Sequence, residues 1–232
     1  MLTEDYKSIS MNDVESVKEY IDRYFDAQKG YSYQNIMNVE NTYIYEVKIY
    51  DDLMLSGSNS YSNPKQNKIY FVIKDNNGEL KVNLDGLISV ETIDKSVESE
   101  YMQITLDSKE TYYDKVEFNV SIENLTDNRI LTMYDNDIKF ILYNTSTNQT
   151  KEYTNYSIKQ KLNANCVMPE KTEKLTMTYK KSLGLTDYID YKINIDTIYS
   201  YDLADYLEVL FENPNITEKA KETYTNVNIS LN

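Results

Sequence analysis

The fold is decided by residues 70–86, which read YFVIKDNNGELKVNLDG. Apolar and polar residues alternate on both sides of Asn77-Gly78, a dipeptide that favours two-residue hairpin turns because both positions accept a positive φ. With this dipeptide in the turn, the apolar residues of the two strands share one face of a sheet. The predicted pairs across the hairpin are Asn76 with Glu79, Ile73 with Val82, and Phe71 with Leu84.

The acidic residues of the same stretch allow a second interpretation, a calcium-binding loop. With Asp75 in the first position of a helix–loop–helix calcium loop, Leu80 falls where the turn glycine is required, and Gly86 falls where the bidentate glutamate is required. That motif also needs flanking helices, whereas the alternation predicts strands. The hairpin is therefore the preferred interpretation. It assigns a polar set of side chains to the other face of the sheet: Lys74, Lys81, Asn83 and Asp85.

A helix is predicted upstream of the hairpin, over residues 12–28. Asn12 and Glu15 have the spacing of a capping box, and Gly30 stands where a helix commonly ends. The apolar residues that follow the three-and-four spacing of one helix face are Val14, Val17, Ile21, Tyr24 and Phe25.

The segment between this helix and the hairpin contains a further strand and a loop. Residues 42–50, TYIYEVKIY, alternate as a strand, and residues 56–67 form a polar loop with Gly57 and Pro64. The N-terminal part of the chain is therefore predicted to be an α+β domain, a helix packed on an antiparallel sheet. The residues that share one face of the predicted strand are Tyr43, Tyr45, Val47 and Ile49.

Downstream of residues 91–100, which are charged and mark the expected domain junction, the chain has the pattern of an all-β domain. About six or seven short strands separated by turns predict an antiparallel β-sandwich of two sheets. The runs are Met102, Ile104 and Leu106; Val116, Phe118, Val120 and Ile122; Ile138, Phe140 and Leu142; residues 153–162; Leu175, Met177 and Tyr179; and Ile189, Tyr191, Ile193 and Ile195.

The C-terminal segment has a weaker pattern. Asp202 is placed to cap a helix that ends before Pro214, and residues 213–232 are expected to be weakly ordered. The apolar stripe of that helix is Leu203, Leu207, Leu210 and Phe211. The predicted domains are therefore 1–94, 97–200 and 201–232.

Composition excludes several classes of function. The net charge of −14 repels phosphate backbones and anionic membrane surfaces, so no nucleic-acid partner is expected. The chain has no run of about 20 apolar residues, so direct membrane insertion is not expected either. The absence of histidine excludes hydrolases with a histidine base and zinc sites with histidine ligands. The single cysteine, Cys166, excludes an intramolecular disulfide and is expected to be a buried or half-buried thiol.

The remaining chemistry lies in carboxylates and aromatic rings. Among 38 Asp and Glu residues some pair always lies at a glycosidase-like distance, so such a pair predicts no activity. Residues 135–137, Asp-Asn-Asp, either bind calcium or serve as turn residues. No glycine-rich nucleotide motif occurs, and no catalytic residue, cofactor or metal ligand is assigned. Tyr24, Tyr45 and Phe71 are the candidate lining of a ligand pocket in the first domain.

Two segments carry a resemblance to known families. The helix VESVKEYIDRYFDAQKG (14–30) with the hairpin IYFVIKDNNGELKVNLDG (69–86) resembles the nuclear-transport-factor-two-like, cystatin-like cone fold. The segment VEFNVSIENLTDNRILTMYDNDIKFILYN (116–144) resembles the immunoglobulin-like domains of exported proteins of low-GC Gram-positive bacteria. The resemblance implies a helix on a curved sheet followed by an immunoglobulin-like sandwich. It also implies a lipid- or membrane-anchored, extracytoplasmic protein whose export signal or anchor was removed from this chain.

Three functions remain open at this point. The first is a non-enzymatic exported or cell-surface protein that recognises a protein or cell-envelope component, with its oligomeric state unknown. The second is a small-molecule-binding protein or enzyme that uses the pocket of Tyr24, Tyr45 and Phe71. The third is an intracellular phage or assembly protein.

Overall fold

The computed structural model describes residues 1–9, 16–24, 30–50, 66–132, 138–144, 149–153, 159–162, 166–180, 190–204 and 222–230. These residues form mostly antiparallel β-sheet with two short helices. The chain divides into two compact units. Unit 1 comprises Met1–Val90 and Glu110–Asp114, and unit 2 comprises Glu91–Lys109 and Lys115–Asn232. Neither helix is long and apolar enough to cross a membrane, as far as the structure describes the chain.

The helices and strands follow one another along the chain in this order: α1 Glu4–Ile9, α2 Val17–Tyr24, β1 Gly30–Val39, β2 Thr42–Tyr50, β3 Gln66–Asn76, β4 Glu79–Asn83, β5 Leu87–Glu98, β6 Met102–Tyr112, β7 Lys115–Asn124, β8 Arg129–Thr132, β9 Ile138–Asn144, β10 Gln149–Tyr153, β11 Lys159–Leu162, β12 Cys166–Val167, β13 Thr172–Lys180, β14 Asp190–Asp202 and β15 Glu222–Ser230.

Unit 1 contains a four-stranded sheet in the order β1-β2-β3-β4, and the predicted hairpin is its β3–β4 pair. Asn77 and Gly78 have φ values of 55° and 91°, and the Gly78 amide donates to the Asp75 carboxylate at 2.7 Å. The predicted pairs of Asn76 with Glu79 and of Ile73 with Val82 are confirmed. The Phe71–Leu84 pair is not formed, because β4 ends at Asn83 opposite Val72.

The predicted helix is present, but it begins later than predicted, and residues 25–28 lie outside the described residues. Helix α2 begins at Val17, and the capping box is formed by Ser16 and Glu19. The Glu19 amide donates to the Ser16 hydroxyl, and the Ser16 amide donates to the Glu19 carboxylate, so the cap satisfies two helix-end donors. Asn12 and Glu15 lie outside the described residues. Gly30 does not end the helix, since it is the first residue of β1 and pairs with Tyr50.

Helix α2 packs on the apolar face of the hairpin, as predicted. The Tyr20 ring meets the Phe71 ring edge-on, with 6.2 Å between the ring centroids. The buried core of unit 1 is Leu2, Tyr6, Tyr20, Leu84, Leu87 and Tyr112, and the half-buried residues packed against it are Ile9, Val17, Ile69, Phe71, Val82 and Val90.

The outer edge of β4 is covered by the N-terminal residues of the chain, which the sequence did not predict. Leu2 forms a parallel bridge with Val82, whose amide donates to the Met1 carbonyl at 2.8 Å. The Thr3 amide in turn donates to the Val82 carbonyl at 3.2 Å. Thr3 then caps α1, because its hydroxyl accepts the Tyr6 amide at 3.2 Å. We call residues 1–3 the N-terminal strap.

The predicted polar face of the hairpin needs two corrections. Asn83 does lie on the face of Lys74 and Lys81, but it is completely buried: its amide donates to the Leu87 carbonyl at 3.0 Å, and its oxygen accepts the Thr3 hydroxyl. Asp85 is not on this face, because it forms a second tight turn with Gly86, at φ values of 55° and 80°. The turn explains why the chain leaves the sheet at this point.

The other strands form two further sheets, one in the order β11-β13-β7-β6-β5 and one in the order β10-β9-β14-β8-β12, with β15 paired to β14. Five of the alternating runs predicted as strands are confirmed, as β6, β7, β9, β13 and β14. Ile189, from the last of these runs, lies outside the described residues. The residues with at most 7% exposure on β6, β7 and β13 include Met102, Ile104, Leu106, Val116, Phe118, Val120, Ile122, Leu175 and Met177.

Three other segments differ from the sequence prediction. Residues 153–162 are not one strand: β10 ends at 153 and β11 begins at 159. Residues 91–98, where the sequence predicts the domain junction, belong to β5, and the division between the units falls after Val90. The polar loop predicted for residues 56–67 ends earlier, because β3 begins at Gln66.

The C-terminal segment was predicted in part. The Asp202 carboxylate accepts the Ala204 amide at 2.9 Å, as the predicted cap requires, whereas the apolar stripe from Leu207 onward lies outside the described residues. The prediction that residues 213–232 are weakly ordered differs from the structure at 222–230, because these residues form strand β15, which pairs with β14. Its β-branched residues at alternate positions favour a strand. These residues are Thr223, Thr225, Val227 and Ile229.

Candidate binding surface on the edge strand

Two of the three predicted ligand-pocket residues lie on the apolar side of the unit 1 sheet. Tyr45 and Phe71 lie directly opposite each other in the β2–β3 ladder, and both are half buried. Phe71 packs against Tyr20 in the core, so its ring contributes to the helix–sheet contact. Tyr24 is the last residue of α2, and its side chain lies outside the described part of the structure.

Strand β1 is the most exposed part of the sheet. It stands at the end of the strand order, and within the described residues only β2 pairs with it. Its sequence, GYSYQNIMNV, carries no charged residue and no proline. Its exposed apolar or aromatic side chains are Tyr31, Tyr33, Met37 and Val39, of which Tyr31 is 61% and Tyr33 is 71% exposed. An edge of this kind presents backbone donors and acceptors that another strand can pair with.

The β1–β2 register sorts the β1 side chains onto two faces. Tyr31 is opposite Ile49 and Tyr33 is opposite Val47, so both rings stand on the apolar face. Ser32 and Gln34 stand on the opposite face, where Ser32 lies opposite Lys48 and Gln34 lies opposite Glu46. Strand β1 therefore has one aromatic side and one polar side.

The polar side of β1 borders a surface pocket of about 60 Å³. At its base the Glu46 side chain is almost buried, with a residue exposure of 8%. Its carboxylate lies 3.3 Å from Lys68 Nζ and 3.7 Å from Lys48 Nζ, and it accepts the Gln34 amide at 3.4 Å. Burying a carboxylate is unfavourable unless it is paired, and two ammonium groups meet this requirement. The pocket lining is Ser32, Tyr33, Gln34, Glu46 and Lys48.

Within the described residues, Lys48 and Lys68 share the single carboxylate of Glu46 as their ion-pair partner. A volume of about 60 Å³ accommodates a few water molecules or the polar end of one side chain. The pocket can therefore receive a small polar group beside Lys48.

Tyr70 stands on the same face and pairs with Glu46 across the β2–β3 ladder. Burial raises the pKa of the Tyr70 phenol above its ordinary value of 10.0, and the negative charges of Glu46 and Asp114 raise the pKa further. With its pKa raised, the phenol stays protonated at neutral pH and is not placed to act as a base. Its ring is packed against Tyr113, with 4.8 Å between the ring centroids.

A second polar cluster in unit 1 has a structural role. Both oxygens of the Asp85 carboxylate accept phenol hydroxyls, one from Tyr6 at 3.0 Å and one from Tyr20 at 2.9 Å. These contacts tie both helices to the turn that follows β4. Gly86 is fixed beside them by two backbone bonds, since its amide donates to the Tyr70 carbonyl and its carbonyl accepts the Tyr113 amide.

Metal ligation finds no support in the described residues, where no three acidic or cysteine side chains lie close enough to hold an ion. The Asp135–Asp137 segment, the candidate calcium loop, lies outside them. Cys166 has a free, half-buried thiol. Its backbone pairs with that of Thr132 in the ladder between β12 and β8.

Sequence reasoning missed strand β1. A local signal was present, because Tyr31 and Tyr33 alternate with polar residues just before the next strand. The pocket had no local signal, because Gln34, Glu46 and Lys68 come together only through the register of three strands. Comparison with models of known protein families found no match to this chain, and neither did comparison with curated proteins.

Proposed function

We propose that this protein is a non-enzymatic recognition protein that binds a protein or cell-envelope component through strand β1. The observation that carries the proposal is the exposure of Tyr31 and Tyr33 on an uncharged edge strand. Tyrosine offers a large contact area at a low cost in side-chain entropy. An edge strand adds backbone hydrogen-bonding groups to that contact area.

At the β1 surface itself, the size of the pocket beside Glu46 suits a side chain of a larger partner better than a whole small molecule. Ligand pockets for metabolites enclose roughly 300–1,000 Å³. The pocket beside Glu46 measures only about 60 Å³, which suits part of one side chain of a larger partner. The net charge of −14 favours a protein or a neutral or basic polymer over a nucleic acid or an anionic membrane.

The same proposal covers architecture and location. Unit 1 would be a nuclear-transport-factor-two-like, cystatin-like domain over about residues 1–94, and an immunoglobulin-like β-sandwich would follow over residues 97–200. Support comes from the helix packed on an antiparallel sheet in one unit and from the alternating buried strands of the other. Both folds host many functions. The sequence resemblance supports a location outside the cytoplasm, secreted or on a cell surface. Recovery from the cytoplasmic fraction of the native host would contradict that location.

The binding role is tested with a library of random peptides displayed on phage and selected on the immobilised protein. We expect enriched peptides whose affinity falls about tenfold or more on the double variant Tyr31→Ser/Tyr33→Ser, since aromatic residues dominate interface energies. The matched control is Leu80→Ser on β4, because Leu80 is 57% exposed in the same sheet.

Two outcomes would overturn the proposal. One is peptide binding that the double variant retains in full, or no enrichment above a surface without protein. The other is a hydrolytic or transfer activity of the purified protein that disappears when one carboxylate is replaced.

A further inference from the structure

Resting on the proposed function, we infer that the occupant of β1 is an extended protein segment that joins the sheet as an additional strand. We infer further that this segment carries one acidic side chain, which enters the pocket and pairs with Lys48. The occupant is thus a partner protein with an acidic residue in a β-forming stretch.

The first argument is that this sheet already accepts an extended segment at its other edge. The N-terminal strap pairs with β4 through the amide and carbonyl of Val82. Strand β1 offers the same kind of edge over ten residues, Gly30–Val39, with no partner on its outer side in the described part of the chain. It lacks the lysine, proline or inward-pointing charge with which proteins commonly block an edge.

The second argument concerns the aromatic side of β1. Residues Tyr31 and Tyr33 stand next to each other on the apolar face, with buried Ile49 and Val47 beside them on β2. An added strand places alternate side chains beside these rings. Apolar or aromatic residues of the partner would bury the exposed ring surface, so the partner is apolar at alternate positions.

The polar side of β1 places Lys48 within reach of an added strand. Lys48 lies directly opposite Ser32, and both residues line the pocket, where the Ser32 hydroxyl also lies 3.3 Å from the Tyr50 hydroxyl. An added strand runs about 10 Å from β2, twice the spacing between neighbouring strands, and the extended side chains of lysine and glutamate together cover this distance. Because Lys48 shares its carboxylate partner with Lys68, an incoming carboxylate would give Lys48 a second partner. An incoming lysine would be repelled by both lysines.

A second copy of this chain does not fit the same description. Strand β1 has no acidic residue, so β1 of another copy has no carboxylate to offer Lys48. Two copies would also bring together surfaces with a net charge of −14 each. Pairing of β1 with β1 of a second copy is therefore disfavoured, and the proposed occupant is a different protein.

The test uses a fluorescently labelled, capped peptide in which threonine and valine alternate and glutamate replaces the central threonine. Binding is measured by fluorescence anisotropy against versions with glutamine or lysine at the centre. We expect the glutamate peptide to bind about tenfold more tightly than the lysine peptide, as a close charge pair requires. This preference should vanish in Lys48→Gln and persist in Lys81→Gln, the matched control, because Lys81 lies on β4 at the opposite edge of the sheet.

Strand addition itself is tested by N-methylation of alternate residues of the glutamate peptide. One set of methyl groups points at β1 and should abolish binding, whereas the other set points away and should leave affinity unchanged. Equal effects of the two sets would overturn strand addition, as would no measurable binding of the glutamate peptide. A glutamate preference that survives in Lys48→Gln would overturn the assignment of the pocket.

These results are separable from the proposed function. If the peptides fail but library-selected peptides still depend on Tyr31 and Tyr33, the recognition role stands and the strand inference falls. If the glutamate peptide binds Tyr31→Ser/Tyr33→Ser as well as it binds the parent protein, the proposed function falls. A concentration-dependent dimer that Tyr33→Lys dissolves would show a second copy as the occupant and overturn the inference.

Discussion

The two edges of the unit 1 sheet are treated in opposite ways. At β4 the strap closes the edge with backbone hydrogen bonds and buries Leu2 to 1% exposure. At β1 the edge carries Tyr31 and Tyr33 in the open. Burying a leucine side chain contributes roughly 2 kcal/mol, so the closed edge contributes to folding. The exposed rings at the open edge bury little surface, so they are expected to contribute little to stability.

The largest difference in stability between the two edges should come from shortening the Leu2 side chain of the strap. We expect Leu2→Ala to lower the free energy of unfolding by about 3 kcal/mol, because it leaves a cavity in the core. The control Leu80→Ala, at an exposed position of β4 itself, should cost less than about 0.5 kcal/mol. Urea unfolding followed by circular dichroism measures both, and equal losses would show that the strap is not part of the core.

The turn that follows β4 gives the next largest effect. A Cβ on Gly86 would stand 3.0 Å from the Tyr70 Cβ, whereas a Cβ on Gly78 would meet nothing within 4 Å. Both glycines have positive φ, so both alanine variants carry the left-handed penalty of about 1 kcal/mol. We expect Gly86→Ala to cost about 2 kcal/mol more than Gly78→Ala because of the added contact. Matching thermal unfolding curves for the two variants would contradict this close packing.

The cap of the strap sharpens the comparison further. Thr3→Val removes the hydroxyl that caps α1 and that donates to buried Asn83. Ser16→Ala removes the hydroxyl that caps α2. In the described structure this hydroxyl contacts no buried side-chain amide, so its loss should lower the free energy of unfolding by about 1 kcal/mol. We expect Thr3→Val to cost about 1 kcal/mol more than this control, because a buried polar group loses a partner. Denaturant unfolding midpoints of the two variants measure this additional loss of stability. Equal losses would show that the Thr3–Asn83 hydrogen bond does not stabilise the folded state.

The smallest effect on stability is expected at the open edge. Tyr33→Lys should change the free energy of unfolding by less than about 0.5 kcal/mol, since the ring is exposed. The same variant should weaken peptide binding, because a lysine on an edge strand opposes pairing. A loss of stability as large as that of Leu2→Ala would mean that β1 is part of the core.

Sequence could predict the features that local residues determine. The β3–β4 hairpin was predictable because Asn77-Gly78 fixes the turn and the turn fixes the register. The burial of Leu2 was not predictable from the sequence. Leu2 is buried through its pairing with Val82, which lies 80 positions further along the chain and contacts Leu2 only in the folded state. The helix start was ambiguous, since two capping-box spacings follow one another, at 12–15 and 16–19, and only the structure shows that Ser16 is used.

The candidate site was less predictable than the fold. Its aromatic side lies in one short segment, and alternation in that segment predicts a strand once it is noticed. Its polar side required the correct registers of β1, β2 and β3, which bring Gln34, Glu46 and Lys68 together. Exposure of β1 follows from strand order, because the outermost strand has a free side, and strand order is a long-range property.

Amide hydrogen exchange, measured by NMR without and with the glutamate peptide, tests the contrast between the edges most directly. In the free protein we predict slow exchange at the Val82 amide, which is bonded to Met1, and fast exchange at alternate amides of β1. With peptide, those β1 amides should slow by about tenfold or more while Val82 is unchanged. Alternate β1 amides that are already protected in the free protein, or that show no change with saturating peptide, would contradict the account.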